Sequence, residues 1–344
     1  MNADTMPNAW DIRETDLSPL ADDAIKLRFA LRYAALAPSN HNAQPWRFLV
    51  DGTTVLVCAD RNRALSVVDP YDRELIMGCG AALFNLRVAL QRFGLGYTIK
   101  LFPDPDDPDV LARVRVDRGS PRDTSIATLF DVMTRRVTNR SAFAPTPVPE
   151  DIQDALVQAA LAEGVDAVSI GRTDIRDRVA ELVTQADHLQ LRDVRFRREL
   201  ASWIYTGTHG DGMPAYAGSV GGLLDFTVPI MAAAIRTFAM DDGIAASHQR
   251  LLDHSPMLLC IGTGEDSPFA WLACGQALER VLLTATKFEL SASFLNQPIE
   301  VEQLRSVLRR EIAMEALPQV LLRIGRAPSV MHTPRRAMQE VVVE

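Results

Sequence analysis

The stretch Ala37-Pro38-Ser39-Asn40-His41-Asn42-Ala43-Gln44-Pro45-Trp46 sets five hydrogen-bonding side chains within six positions. Upstream, residues 22–36 have helical periodicity, with Ile25, Phe29, Ala30, Tyr33 and Leu36 on one face. Downstream, residues 46–50 and 54–59 read as two strands joined at Asp51-Gly52. A loop dense in amides and hydroxyls, held between two ordered elements, suits a flat heteroaromatic ligand whose rim alternates donors and acceptors. The same residue types also cap helices and stabilise turns, so a turn-and-cap cluster is the other reading.

A shift of 195 residues lays Cys79-Gly80-Ala81-Ala82-Leu83 over Cys274-Gly275-Gln276-Ala277-Leu278, with Phe93 on Phe288 and Leu95 on Leu290. Both segments read as long amphipathic helices, residues 72–93 and 267–288, each followed by a strand-like run (97–102 and 291–295). The small residues Gly78, Gly80, Ala81 and Ala82, like Ala273, Gly275 and Ala277, allow a partner helix to come close. The expected organisation is an N-terminal extension (1–21), a first module (22–117), a second module (124–330) and a C-terminal tail (331–344). Residues 103–109 read as an exposed turn before a strand at 111–116. In the second module a short helix near 124 precedes a helix at 150–163, a strand at 165–170, a strand at 256–262, a helix at 301–312 and a strand at 320–325. Residues 185–249 have no counterpart in the first module and read as an insertion. Hairpins mixed with helices imply an α+β sandwich rather than a doubly wound sheet.

Composition narrows the function classes. An apolar content of 47% over 344 residues supplies ample core. The net charge of −8, with no basic stripe, argues against nucleic-acid binding. Residues 1–23 have no apolar core and do not read as a signal peptide; the most apolar run, 226–235, is too short to span a bilayer. A cytoplasmic setting follows as the expectation. The four cysteines make no Cys-x-x-Cys pair and the six histidines are scattered, so neither a redox motif nor a metal site is expected. Gly262-Thr263-Gly264 lacks the third glycine of a dinucleotide fingerprint, and Glu265-Asp266 would face a pyrophosphate. No Gly-x-Ser-x-Gly nucleophile elbow occurs.

A second cluster is basic. Arg135, Arg136 and Arg140 stand within six residues at the end of a helix, with Thr138 and Asn139 between. Guanidinium forks with nearby hydroxyls suit a phosphate; a solvated helix C-terminus, where arginine meets the helix dipole, is the alternative.

The order Pro38-Ser39-Asn40-His41-Asn42-Ala43-Gln44-Pro45-Trp46-Arg47-Phe48 resembles the flavin-contacting signature of the nitroreductase family. The resemblance implies a nitroreductase-like fold and FMN at the interface of two modules, with NAD(P)H as electron donor. The family's basic Arg-x-Ser-x-Arg segment, normally near the N-terminus, is matched here by Arg136, Thr138 and Arg140. One chain therefore carries one copy of each half of a flavin site, as in a fused pseudo-dimer, monomeric or further assembled. By resemblance Pro38, Ser39, Asn40, His41, Asn42 and Gln44 line the flavin edge. Arg136 would hold its phosphate, Arg140 would reach the ring or ribityl chain, and Arg326 would be a second phosphate ligand. Arg323 is expected to alternate outward from its strand. The loop Leu295-Asn296-Gln297-Pro298 would pass over the flavin, with Asn296 and Gln297 contributing to the site; a simple turn before Pro298 is the other reading.

The 185–249 insertion, rich in glycine and aromatic residues, resembles the lid-like segment of the mycobacterial Acg subgroup of fused nitroreductase-like proteins; ordinary core packing is its alternative. Two functions follow from the resemblance. One is an FMN oxidoreductase passing electrons to a nitroaromatic, quinone or similar small-molecule acceptor. The other is a non-catalytic FMN-binding or storage protein whose lid blocks nicotinamide access.

Overall fold

Side-chain alternation builds the first sheet. In the computed structural model, described over residues 9–205, 210–214 and 255–344, β1 (Trp46–Asp51) buries Trp46, Phe48 and Val50 and turns Arg47, Leu49 and Asp51 outward. The tight turn into β2 (Thr54–Ala59) uses Gly52 at φ +54°, a left-handed conformation that suits glycine. β2 pairs with β4 (Val110–Val116) and β4 with β3 (Tyr97–Leu101), all antiparallel. α1 (Asp23–Ala34), capped by the Asp22 carboxylate on the Ile25 N–H, and α2 (Arg73–Arg92) pack their apolar faces into the core beneath this sheet.

The second sheet repeats the plan. After α3 (Thr124–Ala127) and α4 (Glu150–Leu161), β5 (Asp166–Ile170) pairs with β8 (Met257–Thr263), β8 with β10 (Leu317–Gly325), and β10 with β9 (Ser291–Phe294). The orders β1-β2-β4-β3 and β5-β8-β10-β9 are equivalent, and both pairings are antiparallel throughout. α7 (Pro268–Lys287) stands between β8 and β9 as α2 stands between β2 and β3. Its bounds lie 195 residues beyond those of α2, the shift that aligned the repeat. Between β5 and β8 come α5 (Thr173–Arg192), α6 (Val194–Ser202) and the short pair β6 (Ile204–Tyr205) and β7 (Met213–Pro214). α8 (Gln297–Glu300) and α9 (Glu302–Glu311) precede β10.

Unlike the first sheet, the second is covered on both faces. Leu259, Ile261, Leu322 and Ile324 meet α4 and α7, while Leu258, Cys260 and Leu321 meet α5 and α9. This explains the continuous burial along β8.

α2 and α7 cross at glycines. A Cβ on Gly80 would lie 2.3 Å from the Leu272 carbonyl oxygen, and one on Gly275 would lie 2.0 Å from that of Met77. Gly80 and Gly275, like Met77 and Leu272, stand the same 195 residues apart. The contact is therefore reciprocal, as at an isologous dimer interface, but lies within one chain.

Two departures from the sequence reading bear on the site. The 331–344 segment, expected as a tail, runs back to the first sheet, where Val342 and Val343 pair parallel to Phe48 and Leu49 as β11. The 295–298 stretch, expected as a loop, enters α8 at Gln297, because Pro298 is favourable in a first helical turn. Most of the 185–249 insertion lies outside the described residues. Its described start docks on the first module, where the Glu199 carboxylate accepts the Val67 and Val68 N–H groups at 2.9 Å each.

A methyl group has no room at the helix crossing. Gly275→Ala and Gly80→Ala should each destabilise the protein by about 3 kcal/mol or more, whereas Gly171→Ala, whose Cβ would meet nothing within 4 Å, should melt within about 1 °C of wild type. Thermal denaturation of the three variants checks this.

Candidate functional site

Residues 38–46 lie on the outer surface of α2, where Gly78 leaves room for Ser39 and Pro45 at 3.4 and 3.5 Å from a notional Cβ. The loop is bent by three non-glycine residues in left-handed conformation: His41 (φ 51°), Asn42 (φ 55°) and Gln44 (φ 52°). Such geometry costs about 1 kcal/mol per residue and persists only where surroundings enforce it. Here they do. The Ser39 hydroxyl accepts the Gln44 N–H at 2.8 Å. Asn42 donates to the carbonyls of Gly212 and Pro334 at 3.0 Å each and accepts from Arg335 Nη1 at 2.9 Å. Gln44 donates to the Gly210 carbonyl at 2.7 Å and accepts the Arg336 N–H at 2.9 Å. Arg63 donates to the Ala43 carbonyl and forms an ion pair with Asp211.

Asn42 and Gln44 are accordingly buried, their amides committed to the chain itself, whereas Ser39, Asn40 and His41 are half-exposed. The sequence reading assigned all of them to a flavin edge; the structure divides them into pins and a presented rim. Pro38 is buried behind them.

The arginines separate in the same way. Arg136 is 4% exposed, donates to the Leu36 carbonyl at 3.1 Å and lies 3.5 Å from Glu279, a buried carboxylate of α7. Arg335 donates to the carbonyls of Leu36 and Ala37 and lies over the Trp10 ring at 4.7 Å. Trp10 in turn stacks on His332 at 4.1 Å. Burial holds both guanidiniums below the usual arginine range, and it pushes Glu279 up to about 7 against the pull of Arg136. This group clamps the end of α1 to residues 332–336.

A second cationic group lies forward of it. Arg140 is half-buried, and burial lowers its pKa. It is close enough to depress both His41, held near 4 chiefly by burial, and Arg323, held near 10 by burial and then by Arg140. Arg323 was expected to point outward from its strand. Instead it is 1% exposed, because β10 is covered on both faces and alternation there exchanges one core for another. Its Nη2 donates to the carbonyls of Asn139 and Ser141 at 3.3 and 3.0 Å, and its plane lies 4.0 Å from the Phe143 ring. Among the described residues Nε and Nη1 have no hydrogen-bond partner and no carboxylate pairs with the guanidinium. Arg326, the expected phosphate ligand, lies one residue past β10, 53% exposed and 3.6 Å from the exposed Glu289, and belongs to the surface. Thr138 bridges to Ala292 beside β9, which fixes the basic segment against the second sheet.

Glu74 completes the arrangement and was not anticipated, since it looks like any first-turn helix acid. Its carboxylate accepts from Asn40 Nδ2 at 2.5 Å and from Asn296 Nδ2 at 3.1 Å, while Asn296 Oδ1 accepts the Leu321 N–H at 3.0 Å. Gln297 follows, half-buried, at the start of α8. A chain of neighbours thus runs from Asn296 through Glu74, Asn40 and His41 to Arg140 and Arg323, drawing on both modules. Arg136, Asn42, Gln44 and Arg335 stand behind it, and Arg326 outside it. Chemically this offers a polar rim with two guanidiniums, Arg140 and Arg323, at one end. Among the described residues no group of His, Cys, Asp or Glu side chains could hold a metal ion.

Duplicated sheets around one crossing of central helices, with a polar cluster drawn from both halves, define a fused two-module α+β protein. A Mycobacterium tuberculosis protein, Rv3131, named as a candidate NAD(P)H nitroreductase, is 34% identical over 93% of this chain and 92% of its own. The M. tuberculosis protein acg, given the same functional name, is 29% identical over 92% and 94%. Among solved structures, the FMN-dependent nitroreductase NfnB of Mycobacterium smegmatis in complex with NADPH is similar at 18% identity and a TM-score of 0.42, covering 62% of this chain and 97% of that one. No family model matches the chain. The chain belongs to the nitroreductase family.

Asn42→Ala would strip Arg335 of a buried acceptor and leave two carbonyls short of a donor. It should cost about 2–3 kcal/mol and loosen residues 332–343, read as a lower melting temperature and faster amide exchange in that segment.

Proposed function

We propose that the protein is an FMN-dependent oxidoreductase of nitroreductase type that uses NAD(P)H and binds one FMN per chain. Its family membership supports the class of chemistry. The observation that carries the cofactor reading is the pair of unpartnered donors on Arg323 beside Arg140. A buried guanidinium with unfilled N–H groups is costly on its own and fits an anionic group such as the FMN phosphate.

When bound, FMN supplies the redox chemistry, taking two electrons from NAD(P)H and passing them to a nitroaromatic, quinone or similar acceptor. The chain's own residues position and insulate. Arg323 and Arg140 hold the phosphate, with Thr138 fixing the segment that carries Arg140. Ser39, Asn40 and His41 meet the ring and ribityl chain; His41, neutral at pH 7, can both donate and accept. Asn296 and Gln297 border the opposite edge. Arg136, Asn42 and Gln44 keep the loop in its strained shape rather than touching the cofactor.

No helix among the described residues is long and apolar enough to cross a membrane. The internal pseudo-dimer supports a monomer, which light scattering checks.

One observation favours the storage alternative. The start of the insertion is bonded to the loop through Gly210, Asp211 and Gly212, and Arg63 lies over the Trp203 ring at 5.5 Å. Such anchorage sets Trp203 and residues 210–212 against the loop, where they would restrict nicotinamide access.

The purified protein should take up FMN at one per chain. Arg323→Met should lower FMN affinity by about tenfold or more, because a charge-assisted bond contributes about 1.5–3 kcal/mol, and should leave the apo protein no less stable, since it removes an unpaired buried charge. Arg326→Ala should leave affinity unchanged. Failure to bind FMN, or an Arg323→Met variant that binds normally, would refute the reading. Anaerobic reduction separates the two functions: rapid bleaching by NADPH with turnover on a nitroaromatic or quinone establishes the reductase, and bleaching by dithionite alone establishes storage.

A further inference from the structure

Asn40 and Asn296 belong to loops of different modules, and one carboxylate holds both. Asn296 cannot turn its amide round, because Oδ1 is committed to the Leu321 N–H, so its Nδ2 must donate and Glu74 must accept. Glu74 is 6% exposed at the start of α2, where bulk water does not buffer its charge. Its neighbours are mostly acidic. From the turn before α2 come Asp69, which accepts the Leu75 N–H at 2.9 Å, and Asp72; from α2 comes Arg73, 3.9 Å away. From α8 comes Glu300, which accepts Gln190 Nε2 of α5 at 2.6 Å, and Asp187 of α5 lies close to Glu300. Arg73 acts on all three of Asp69, Glu74 and Glu300.

We propose, building on the FMN reading above, that Glu74 is a positioning residue that yokes the 38–46 loop to the 295–298 stretch, and that the acidic groups gathered around it make flavin affinity sensitive to pH. The direction follows from charge. Burial raises all three carboxyls to about 7, and Glu300 adds to the rise at Glu74. Below that pH the cluster keeps its protons. As pH climbs through about 7, Glu74 and Glu300 take like charges; the two amide donors favour the ionised Glu74 and hold the yoke, while the new negative charge stands beside an anionic cofactor and weakens its binding. FMN affinity is therefore highest on the acid side and falls as pH rises. Glu74→Gln can keep both contacts, accepting from Asn296 and donating to a turned Asn40, without the charge. Glu74→Ala can keep neither.

The experiment uses the full chain as wild type, Glu74→Gln and Glu74→Ala, with thermal melts confirming that each is folded. FMN affinity is read by flavin fluorescence at pH 6 and pH 8. Amide exchange of residues 38–46 and 295–301 is read without FMN and corrected for intrinsic rates. Wild-type affinity should fall by about fivefold to tenfold between pH 6 and pH 8, and Glu74→Gln should show a ratio near one. Glu74→Ala should bind weakly at both pH values, with faster exchange in both segments together. A wild-type ratio near one, a Glu74→Gln protein that keeps the wild-type pH dependence, or exchange in Glu74→Ala that quickens in one segment alone overturns the proposal. If the wild type binds no FMN, the pH-dependent affinity falls with the cofactor reading. The exchange data then decide the yoke by themselves: quickening in both segments upholds it and no change overturns it.

Discussion

The approach of α2 to α7 at Gly80 and Gly275 is the constraint on which the rest depends. Each glycine admits a backbone carbonyl of the opposite helix where any other residue would place a methyl group. At that separation the helices share one core boundary: Leu272 and Leu283 of α7 join the first module's core, while Met77 of α2 joins the second's. The reciprocal geometry fixes the modules in rotation as well as distance, because two equivalent contacts related by one axis leave no sliding freedom. Residues on α2 and α7 that never approach the site thereby set the spacing between its halves.

On that frame the halves have diverged. The first module provides the strained, amide-rich loop and the second provides the basic segment and Arg323. The charges are sorted by what surrounds them. Arg136 has the Glu279 carboxylate 3.5 Å away and Arg335 has a set of carbonyls, each with Nε alone unfilled; Arg323 has carbonyls on one side, no carboxylate among the described residues, and two unfilled donors. Sequence proximity would have grouped Arg136 with Arg140. Burial and partners separate them.

What was readable from the sequence was whatever is local or periodic. The hairpin of β1 and β2, both central helices and most second-module strands fall within a few residues of the expected bounds, because apolar period and turn chemistry act over short spans. The 195-residue repeat was readable because the crossing restricts residue size at matched positions. Arg323 was misread for a physical reason: alternation says which side of a strand a residue takes, and only the tertiary arrangement says whether that side meets water. Arg326 was preferred for its place after the strand, where the chain in fact leaves the core. Glu74 and Arg335 carried no local signal at all; Glu74 meets Asn296 222 residues away and Arg335 meets Asn42 293 residues away.

That last separation bears on how the protein is made. The loop at 38–46 leaves the ribosome long before Arg335, Arg336 and the strand at 342–343 that hold it against β1. During synthesis the early module has an uncovered sheet edge and a loop still without Arg335 and Arg336, two of the partners that enforce its left-handed residues. Its binding surface can take its final shape only after translation has passed residue 343. Ribosome-bound chains halted before that point should expose an edge strand open to adventitious pairing, which makes the nascent first module a natural client for chaperones.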